Sequence, residues 1–340
     1  MTTLVDRLWY GVRRPLWPLW PLAWLFRWVS AKRRHKLLVQ APPPKLGVPV
    51  VVVGNITAGG TGKSPLTAWL VAILRNQGWR PVILTRGYGG RAERYPLVVD
   101  ESVSAEQAGD EPVMLWRQSS CPVVVDPERY RGAQWAIQRN LGDVLICDDG
   151  LQHYKLPRDI ELAVFDGRRG LGNGAPIPVG PLREPASRLA SVDFVITNGS
   201  QPLTLAHPAQ FCMTLKPRQL RHLRTSDVRP LDWLQGRKVR AVAGIGNPQR
   251  FFDTLVDLGA NVRARPLPDH HQFKASDLTV EPDEVLVVTA KDAVKCAGVA
   301  PEATWVLEVE AELPASFETA LMARLSNLEP RVADFTLNKL

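Results

Sequence analysis

Short, continuous apolar runs alternate with longer stretches in which apolar residues recur at helical spacing. The runs that predict strands are 48–53, 81–85, 122–125, 143–147, 160–165, 193–197, 238–243, 261–265, 284–289 and 304–309. The stretches that predict helices are 63–77, 105–119, 128–140, 249–258 and 315–327. Continuous apolar strands that alternate with helices are typical of a parallel sheet covered on both faces. We therefore predict an α/β fold with ligands at the carboxyl ends of its strands.

The alternation is interrupted between residues 200 and 237, where prolines and turn-forming residues accumulate. A chain of 340 residues is long enough for two domains. We predict a core domain over residues 41–225 and a smaller α/β domain over residues 226–340, which closes over the ligand site. The cleft between two such domains is the expected active site.

Positive charge is concentrated in residues 1–40, a separate N-terminal segment that ends before three consecutive prolines. Of the net charge of +8, this segment accounts for +7, because it contains eight Lys and Arg residues and one acid, Asp6. The rest of the chain is nearly neutral. Since the basic charge is not spread over a domain face, we predict no nucleic-acid partner.

Tryptophan is concentrated in the same segment, which holds five of the eleven in the chain: Trp9, Trp17, Trp20, Trp24 and Trp28. Tryptophan favours the membrane–water interface, and nearby Lys and Arg attract anionic lipid headgroups. The apolar stretch 16–25 is too short and too rich in proline to span a bilayer. We predict a helix that lies on the cytoplasmic surface of a membrane, with a helix packed on the protein's own core as the alternative.

A glycine-rich loop follows the first predicted strand and precedes the first helix of the core. It consists of Thr57, Ala58, Gly59, Gly60, Thr61, Gly62, Lys63 and Ser64. Such a loop binds polyphosphate through backbone N–H groups, with its lysine on the β- and γ-phosphates and its serine hydroxyl on Mg²⁺. Thr57 replaces the usual first glycine, and we interpret the loop as a variant because strand and helix flank it. A nucleoside triphosphate and Mg²⁺ are the expected ligands.

Two adjacent carboxylates, Asp148 and Asp149, follow the predicted strand 143–147. A phosphate-binding loop requires an acid that holds Mg²⁺ directly or through water. Adjacent residues at a strand end point in opposite directions, so one would serve the metal while the other orients water or substrate. The sequence leaves open which acid does which, and a solvated turn is the alternative.

Two further loops combine glycine with charged side chains. A glycine turn that begins at Arg86 is either an anion-binding loop or a plain surface turn. The long loop 166–187 contains Arg183 and Glu184. There an arginine would neutralise phosphate charge and a glutamate would bind Mg²⁺, whereas a surface ion pair is the alternative.

Two short polar motifs complete the candidate residues. Asp110 and Glu111 precede a proline in a helical stretch, where acids often serve only as helix-dipole partners. His270 and His271 follow Asp269 in the smaller domain, and histidine exchanges protons near neutral pH. The four cysteines are scattered without a CxxC pair, which argues against a zinc site and a disulfide framework and fits a reducing compartment.

The motifs occur in an order that resembles the tetraacyldisaccharide 4'-kinases, the lipid A 4'-kinase (LpxK) family, from about residue 8 to residue 325. The matching blocks are Val-Gly-Asn, Gly-Gly-Thr-Gly-Lys-Ser, Arg-Gly-Tyr-Gly-Gly, Gly-Asp-Glu-Pro, Asp-Asp-Gly-Leu-Gln-His, Gly-Pro-Leu-Arg-Glu-Pro, Gly-Ile-Gly-Asn-Pro, Asp-His-His and Lys-Asp-Ala-Val-Lys. Ala290 departs from the family pattern, which has glutamate before the last block. The resemblance implies a core of the P-loop NTPase type.

The resemblance also implies an ATP- and Mg²⁺-dependent kinase, peripheral to the cytoplasmic face of a bacterial inner membrane. Its lipid substrate would be a tetraacylated glucosamine disaccharide 1-phosphate, whose 4'-hydroxyl is phosphorylated to give lipid IVA. Asp110 would take the hydroxyl proton and would pair with a histidine, which is best matched by His270, with His271 as the alternative. Glu111 would be structural. The residues implied to hold ATP, metal and phosphate are Lys63, Ser64, Asp148, Asp149, Arg183 and Glu184.

Two other classes of protein contain such a loop. A GTPase or ATPase of the metallochaperone type is disfavoured, because no Asn-Lys-x-Asp motif is present and Ala58 stands where dimeric ATPases have lysine. A membrane-bound nucleotide-sensing scaffold would need the loop but not the acid pair, Asp110 or His270. No obligate protein partner is evident in the sequence.

Overall fold

The computed structural model describes residues 4–11, 17–269 and 271–328. Its α-helices are α1 (Leu4–Tyr10), α2 (Trp20–His35), α3 (Lys63–Asn76), α4 (Ala105–Ala108), α5 (Asp110–Ser119), α6 (Arg129–Gln138), α7 (Pro248–Asp257), α8 (Ala290–Cys296) and α9 (Ala315–Ser326). Its strands are β1 (Val50–Gly54), β2 (Pro81–Thr85), β3 (Leu97–Val98), β4 (Val123–Val125), β5 (Val144–Cys147), β6 (Ile160–Asp166), β7 (Phe194–Asn198), β8 (Gln210–His222), β9 (Val228–Arg229), β10 (Lys238–Ala243), β11 (Asn261–Pro266), β12 (Glu284–Thr289) and β13 (Thr304–Glu312). The candidate residue His270 lies outside the described residues.

The described strands form one sheet in the order β11-β10-β12-β13-β8-β7-β6-β1-β5-β2-β4-β3, with β9 paired to β8. The pairing is parallel except where β3 meets β4, β8 meets β13 and β9 meets β8. Strands β1, β2, β5, β6 and β7 are buried along their whole length, which explains their continuous apolar runs. The predicted α/β fold with a mostly parallel sheet is confirmed.

Strand β8 connects the two parallel halves of this sheet. Its first residues pair in parallel with β7, and its remainder pairs antiparallel with β13. The sequence pattern misses this strand because Pro217 lies in its middle. The register shifts between Glu308 and Val309, opposite the proline, and such an irregularity accommodates a residue that cannot donate to the ladder. The predicted division into domains stays a prediction.

The predicted helix 105–119 is two helices, because Gly109 interrupts it with a φ of +91°. A Cβ at this position would lie 2.6 Å from the carbonyl oxygen of Tyr88, so only glycine fits without a shift. The interruption makes Asp110 the first residue of α5. Its carboxylate therefore lies at the N-terminus of a helix.

Helix α9 packs on the first half of the sheet, although it follows the strands of the second half. Phe317 is fully buried, and its ring lies 5.5 Å from that of Trp69 on α3 and 5.4 Å from that of Phe194 on β7. The ion pair between Arg324 and Asp193 (2.9 Å) adds a polar contact between the same regions. The end of the described chain thus stabilises the core that supports the glycine-rich loop.

Helix α2 has one buried residue, Ala23, which packs against Ala175 and Val179 of the long loop after β6. The large apolar side chains that it exposes are Leu22, Trp24, Leu25, Trp28 and Val29. At 100° per residue, these five positions share one side of the helix. Among the described residues, no helix combines the length and the apolar character that crossing a membrane requires.

Candidate nucleotide and substrate site

A cavity of about 810 Å³ lies at the carboxyl ends of the parallel strands. The glycine-rich loop forms one wall, and the loop after β10 and the start of α8 form the facing wall. Phe26, Ser30 and Arg33 of α2 line it as well. The cavity therefore joins the glycine-rich loop to the helix whose opposite side exposes apolar residues.

The glycine-rich loop connects β1 to α3, as the sequence predicts, and α3 begins at Lys63. Gly59 and Gly62 have φ values of +104° and +95°. A Cβ at Gly62 would lie 2.5 Å from the side-chain nitrogen of Asn198. This position therefore requires glycine, both because its φ is positive and because there is no room for a side chain. The unpaired N–H groups and positive dipole end of α3 favour an anion in front of the loop.

Lys63 and Arg183 both face Asp149. The Lys63 ammonium lies 3.5 Å and the Arg183 guanidinium 3.6 Å from the Asp149 carboxylate. Burial raises the pKa of Asp149, but the charges of Lys63, Arg183 and Arg129 outweigh burial and hold this pKa below its usual value. Three candidates from separate segments thus meet at the mouth of the loop, with Asp149 ionised.

Asp148 lies beneath this cluster and is 1% exposed. It accepts a hydrogen bond of 2.8 Å from the Thr67 hydroxyl on α3. Burial and the charge of Glu111 raise the pKa of Asp148 to about 6. The two adjacent acids therefore differ in environment, because Asp149 faces cations and Asp148 faces the protein interior.

By chemical type, the Ser64 hydroxyl and the carboxylates of Asp148 and Asp149 are oxygen donors suited to Mg²⁺, and their role as metal ligands stays a prediction. A cation here would also compensate the buried negative charge of Asp148. Within the described ranges, no group of three or more His, Cys, Asp or Glu side chains is arranged to hold a metal alone. Phosphate oxygens would therefore have to complete the coordination, as a phosphate-binding loop requires.

Glu184 lines the same cavity as Asp149 but contacts a different set of residues, and it is 5% exposed. The Tyr154 hydroxyl and Gln152 Nε2 (2.7 Å) donate to its carboxylate, and Arg188 Nε lies 3.4 Å away. Gln152 also donates to the Asn55 carbonyl, next to the glycine-rich loop. These contacts make Glu184 a support for the loop, and its role as a metal ligand stays a prediction.

Asp110 is 8% exposed at the start of α5. Its neighbour Glu111 accepts a hydrogen bond of 2.9 Å from Lys291 of α8, and Lys291 also contacts Asp269 at 3.3 Å. This ion cluster links α5 to the loop that precedes the histidine pair. Of that pair, His271 contacts Asp277 through Nε2 at 2.9 Å. The pairing of Asp110 with His270 lies outside the described residues and stays a prediction.

Arg129 is a site residue that the sequence interpretation misses. It is 4% exposed at the start of α6, and its Nη2 donates to the backbone carbonyls of Asp148 and Asp149. Within the described part of the chain, its Nε and Nη1 are buried without a hydrogen-bond partner. Arg129 lines the cavity, so these N–H groups suit an anion. Its position at the start of α6, four residues after the end of β4, is the signal that could have identified it.

Replacement of Asp148 by asparagine is expected to stabilise the metal-free protein at pH 7. The pKa of about 6 exceeds the ordinary 3.8, so the folded state holds this proton more tightly than the unfolded chain. Protonated Asp148 contributes its full stabilisation of the folded state below about pH 4, and this contribution is lost as the pH rises through about 6. Asparagine stays neutral, which would add roughly 1–3 kcal/mol to the free energy of unfolding at pH 7.

Urea unfolding of both proteins in EDTA, at pH 4 and pH 7, measures this difference. The gain should appear at pH 7 and shrink at pH 4, and the variant should lose activity if Asp148 serves the metal. Equal stabilities at pH 7 would contradict the assigned burial cost.

A sequence model of the family described as tetraacyldisaccharide-1-P 4'-kinase (LpxK) matches residues 15–326. The tetraacyldisaccharide 4'-kinase of Dechloromonas aromatica is 47% identical over 329 residues, which are 94% of this chain and 97% of the relative. That of Pseudomonas putida strain W619 is 45% identical over 313 residues, covering 91% of this chain and 92% of the relative.

The fold has a match among solved structures. The crystal structure of LpxK from Aquifex aeolicus in complex with ATP superposes with a TM-score of 0.78 at 29% sequence identity. The superposition covers 91% of this chain and 98% of the Aquifex aeolicus chain. The family match extends over nearly all of the described residues, including the glycine-rich loop, the acid pair and α5. The chain belongs to the tetraacyldisaccharide 4'-kinase family.

Proposed function

We propose that this protein transfers the γ-phosphoryl group of ATP to the 4'-hydroxyl of a tetraacylated glucosamine disaccharide 1-phosphate, giving lipid IVA. The observation that carries the proposal is the shared cavity, which is lined both by the glycine-rich loop and by α2. A nucleotide and a lipid headgroup that enter from these two sides meet in one space. A relative solved with ATP and relatives named for this kinase activity support the same assignment.

The nucleotide is assigned to the loop from Thr57 to Ser64. Its N–H groups surround the phosphates, and Lys63 exchanges its contact with Asp149 for the β- and γ-phosphates. Bound Mg²⁺ would neutralise phosphate charge, held by Ser64 and by the acids at the end of β5. Arg183, which already lies at the mouth of the loop, stabilises the charge on the transferred group.

Phosphoryl transfer needs a proton acceptor for the sugar hydroxyl. In the proposed step the 4'-oxygen forms a bond to the γ-phosphorus while the bond to the β–γ bridging oxygen breaks, and ADP leaves. The hydroxyl proton passes to the Asp110 carboxylate, and His270 is proposed to pair with Asp110. A positioned carboxylate in this role is also how protein kinases orient a hydroxyl nucleophile.

Positive charge surrounds the part of the cavity between α2 and the core. Burial and the guanidinium groups of Arg129, Arg86 and Arg33 lower the pKa of His153 to about 3. The histidine is therefore neutral at pH 7, and the arginines form the local charge. A phosphorylated lipid headgroup would be attracted to this region.

The exposed side of α2 is assigned to the cytoplasmic surface of the bacterial inner membrane. Trp24 and Trp28 are 62% and 59% exposed, and the Lys32 ammonium stacks over the Trp28 ring at 4.9 Å. Interfacial tryptophans beside lysine favour a surface with anionic headgroups. A peripheral enzyme docked in this way reaches a lipid substrate without extracting it.

A Trp24→Glu/Trp28→Glu double variant is expected to bind anionic vesicles about 100-fold more weakly, because two large apolar side chains no longer enter the interface. Vesicle sedimentation measures the partition coefficient. Val228→Glu/Val256→Glu is the matched control, since it adds the same two negative charges at side chains that are 52% and 56% exposed and lie outside α2. Equal loss of binding in both variants would contradict the assignment of α2.

Incubation of the purified protein with γ-labelled ATP, Mg²⁺ and the tetraacyl disaccharide 1-phosphate tests the proposed reaction. Label in the lipid product, dependent on both substrates, is the expected result. Release of labelled phosphate with no lipid product would instead favour an ATPase. Nucleotide binding without turnover would favour a sensing scaffold, and either outcome would remove the kinase proposal.

A further inference from the structure

Helix α1 lies directly against the nucleotide-binding loop. The Tyr10 hydroxyl donates a hydrogen bond of 3.2 Å to the carbonyl oxygen of Ala58. The Arg169 guanidinium stacks on the Tyr10 ring at 5.0 Å, and its Nη1 would lie 3.5 Å from a Cβ at Gly59. An aromatic ring and a cation from distant parts of the chain thus pack against the first half of the loop.

A second connection runs from α1 through the long loop after β6. Asn173 donates through its backbone N–H to the Trp9 carbonyl (2.8 Å) and through its side chain to the Leu8 carbonyl (3.2 Å). The Trp9 indole donates to the Pro178 carbonyl at 3.1 Å. These bonds satisfy carbonyl groups at the end of α1 and fix the helix on this loop.

The same long loop pairs with the nucleotide-binding loop. The Ala58 N–H donates to the Pro181 carbonyl (2.8 Å), and the Arg183 N–H donates to the Ile56 carbonyl (2.7 Å). Residue Thr57 forms an antiparallel bridge with Leu182 between these two bonds. The N-terminal helix therefore holds both the loop and the segment that carries Arg183.

The hydrogen bond from Tyr10 determines the orientation of one peptide unit. In a trans peptide the Ala58 carbonyl and the Gly59 N–H point in opposite directions. Gly59 lines the cavity, whereas Tyr10 and Ala58 are not among its described lining residues. With the Ala58 carbonyl held by Tyr10 on the side away from the cavity, we infer that the Gly59 N–H points towards the phosphate space. Gly59, with its positive φ, has the backbone freedom to let this unit rotate, so an external contact helps to select one orientation.

We propose that Tyr10 is a positioning residue for ATP binding, and that α1 thereby makes the N-terminal segment a structural part of the nucleotide site. The proposal rests on the assignment of ATP to residues 57–64. Because α1 precedes the membrane-facing α2, removal of the whole segment would alter both membrane binding and ATP binding. Single substitutions separate the two effects.

Tyr10→Phe keeps the ring and removes only the hydroxyl. We expect the Kd of a fluorescent ATP analogue to rise by up to about fivefold, because the ligand must then order a peptide unit that one hydrogen bond, worth about 1 kcal/mol, orders in the wild type. The KM for ATP should rise by the same factor, whereas the KM for the lipid and the melting temperature should stay near those of the wild type. Trp9→Phe is the matched control, because it removes a bond from the same helix to Pro178 and leaves Ala58 untouched. Its nucleotide affinity should stay within about twofold of the wild type.

Hydrogen exchange tests the same coupling without any substitution. Since coupling between sites is reciprocal, a saturating ATP analogue should slow amide exchange in residues 4–11. Unchanged exchange there, unchanged affinity in Tyr10→Phe, or equal weakening in both variants would each overturn the positioning role alone. A wild-type protein that does not bind the analogue would overturn the proposed function itself.

Discussion

The Asp110→Asn variant is expected to lose about 10²–10⁴-fold in kcat, the range for loss of a general base. Asparagine keeps the shape of the side chain at the first residue of α5 but cannot take up the proton of the sugar hydroxyl. The KM for ATP should change little, because Asp110 lies on a different helix from the glycine-rich loop. Initial rates at saturating ATP and lipid measure the effect.

Glu111→Gln is the matched control for this variant. Glu111 is the next residue on α5 and carries the same charge, but its carboxylate accepts a hydrogen bond from Lys291. Glutamine can still accept that bond, so its kcat should stay within about tenfold of the wild type. Near-wild-type turnover in Asp110→Asn, or equal losses in both variants, would exclude Asp110 as the base.

Local sequence signals were sufficient to predict the site residues that follow the ends of strands. Lys63 and Asp149 each follow an apolar run that forms a strand, and parallel strands bring their carboxyl ends to one edge. The structure places the Lys63 ammonium 3.5 Å from Asp149, although the two residues are 86 positions apart. Arg183 joins them because its loop pairs with the residues before the glycines.

The contacts that the sequence did not predict all depend on distant segments. Tyr10 and Trp9 lie in the segment interpreted from its charge and tryptophans, yet both donate hydrogen bonds to site loops. Glu184 stands beside Arg183 in sequence but faces Tyr154 and Arg188. Neither the hydrophobic periodicity nor the composition of a loop indicates which of two adjacent side chains points into the protein. The packing of elements that are distant in sequence decides that direction.

Lys63→Met is expected to lower kcat/KM by about 10²–10³-fold, comparable with the loss of a preorganised charge stabiliser. Methionine matches the length of the stem but contributes no charge to the phosphates. The Lys63 side chain is 13% exposed, so solvent screens its charge little. Lys63→Arg is expected to recover only part of the rate, since a planar guanidinium does not reproduce a point charge within a narrow loop.

A double substitution separates the two partners of Lys63. In the nucleotide-free protein the Lys63 ammonium lies 3.5 Å from the Asp149 carboxylate, whose side chain is 36% exposed, so Lys63→Met alone should also lower the melting temperature by a small amount. Adding Asp149→Asn removes a carboxylate that has lost one of its two nearby cations but keeps Arg183 at 3.6 Å, and the melting temperature should partly recover. Activity should not recover, because the phosphates still lack their lysine. Recovery of activity in the double variant would show that Lys63 acts through Asp149 and not on the nucleotide.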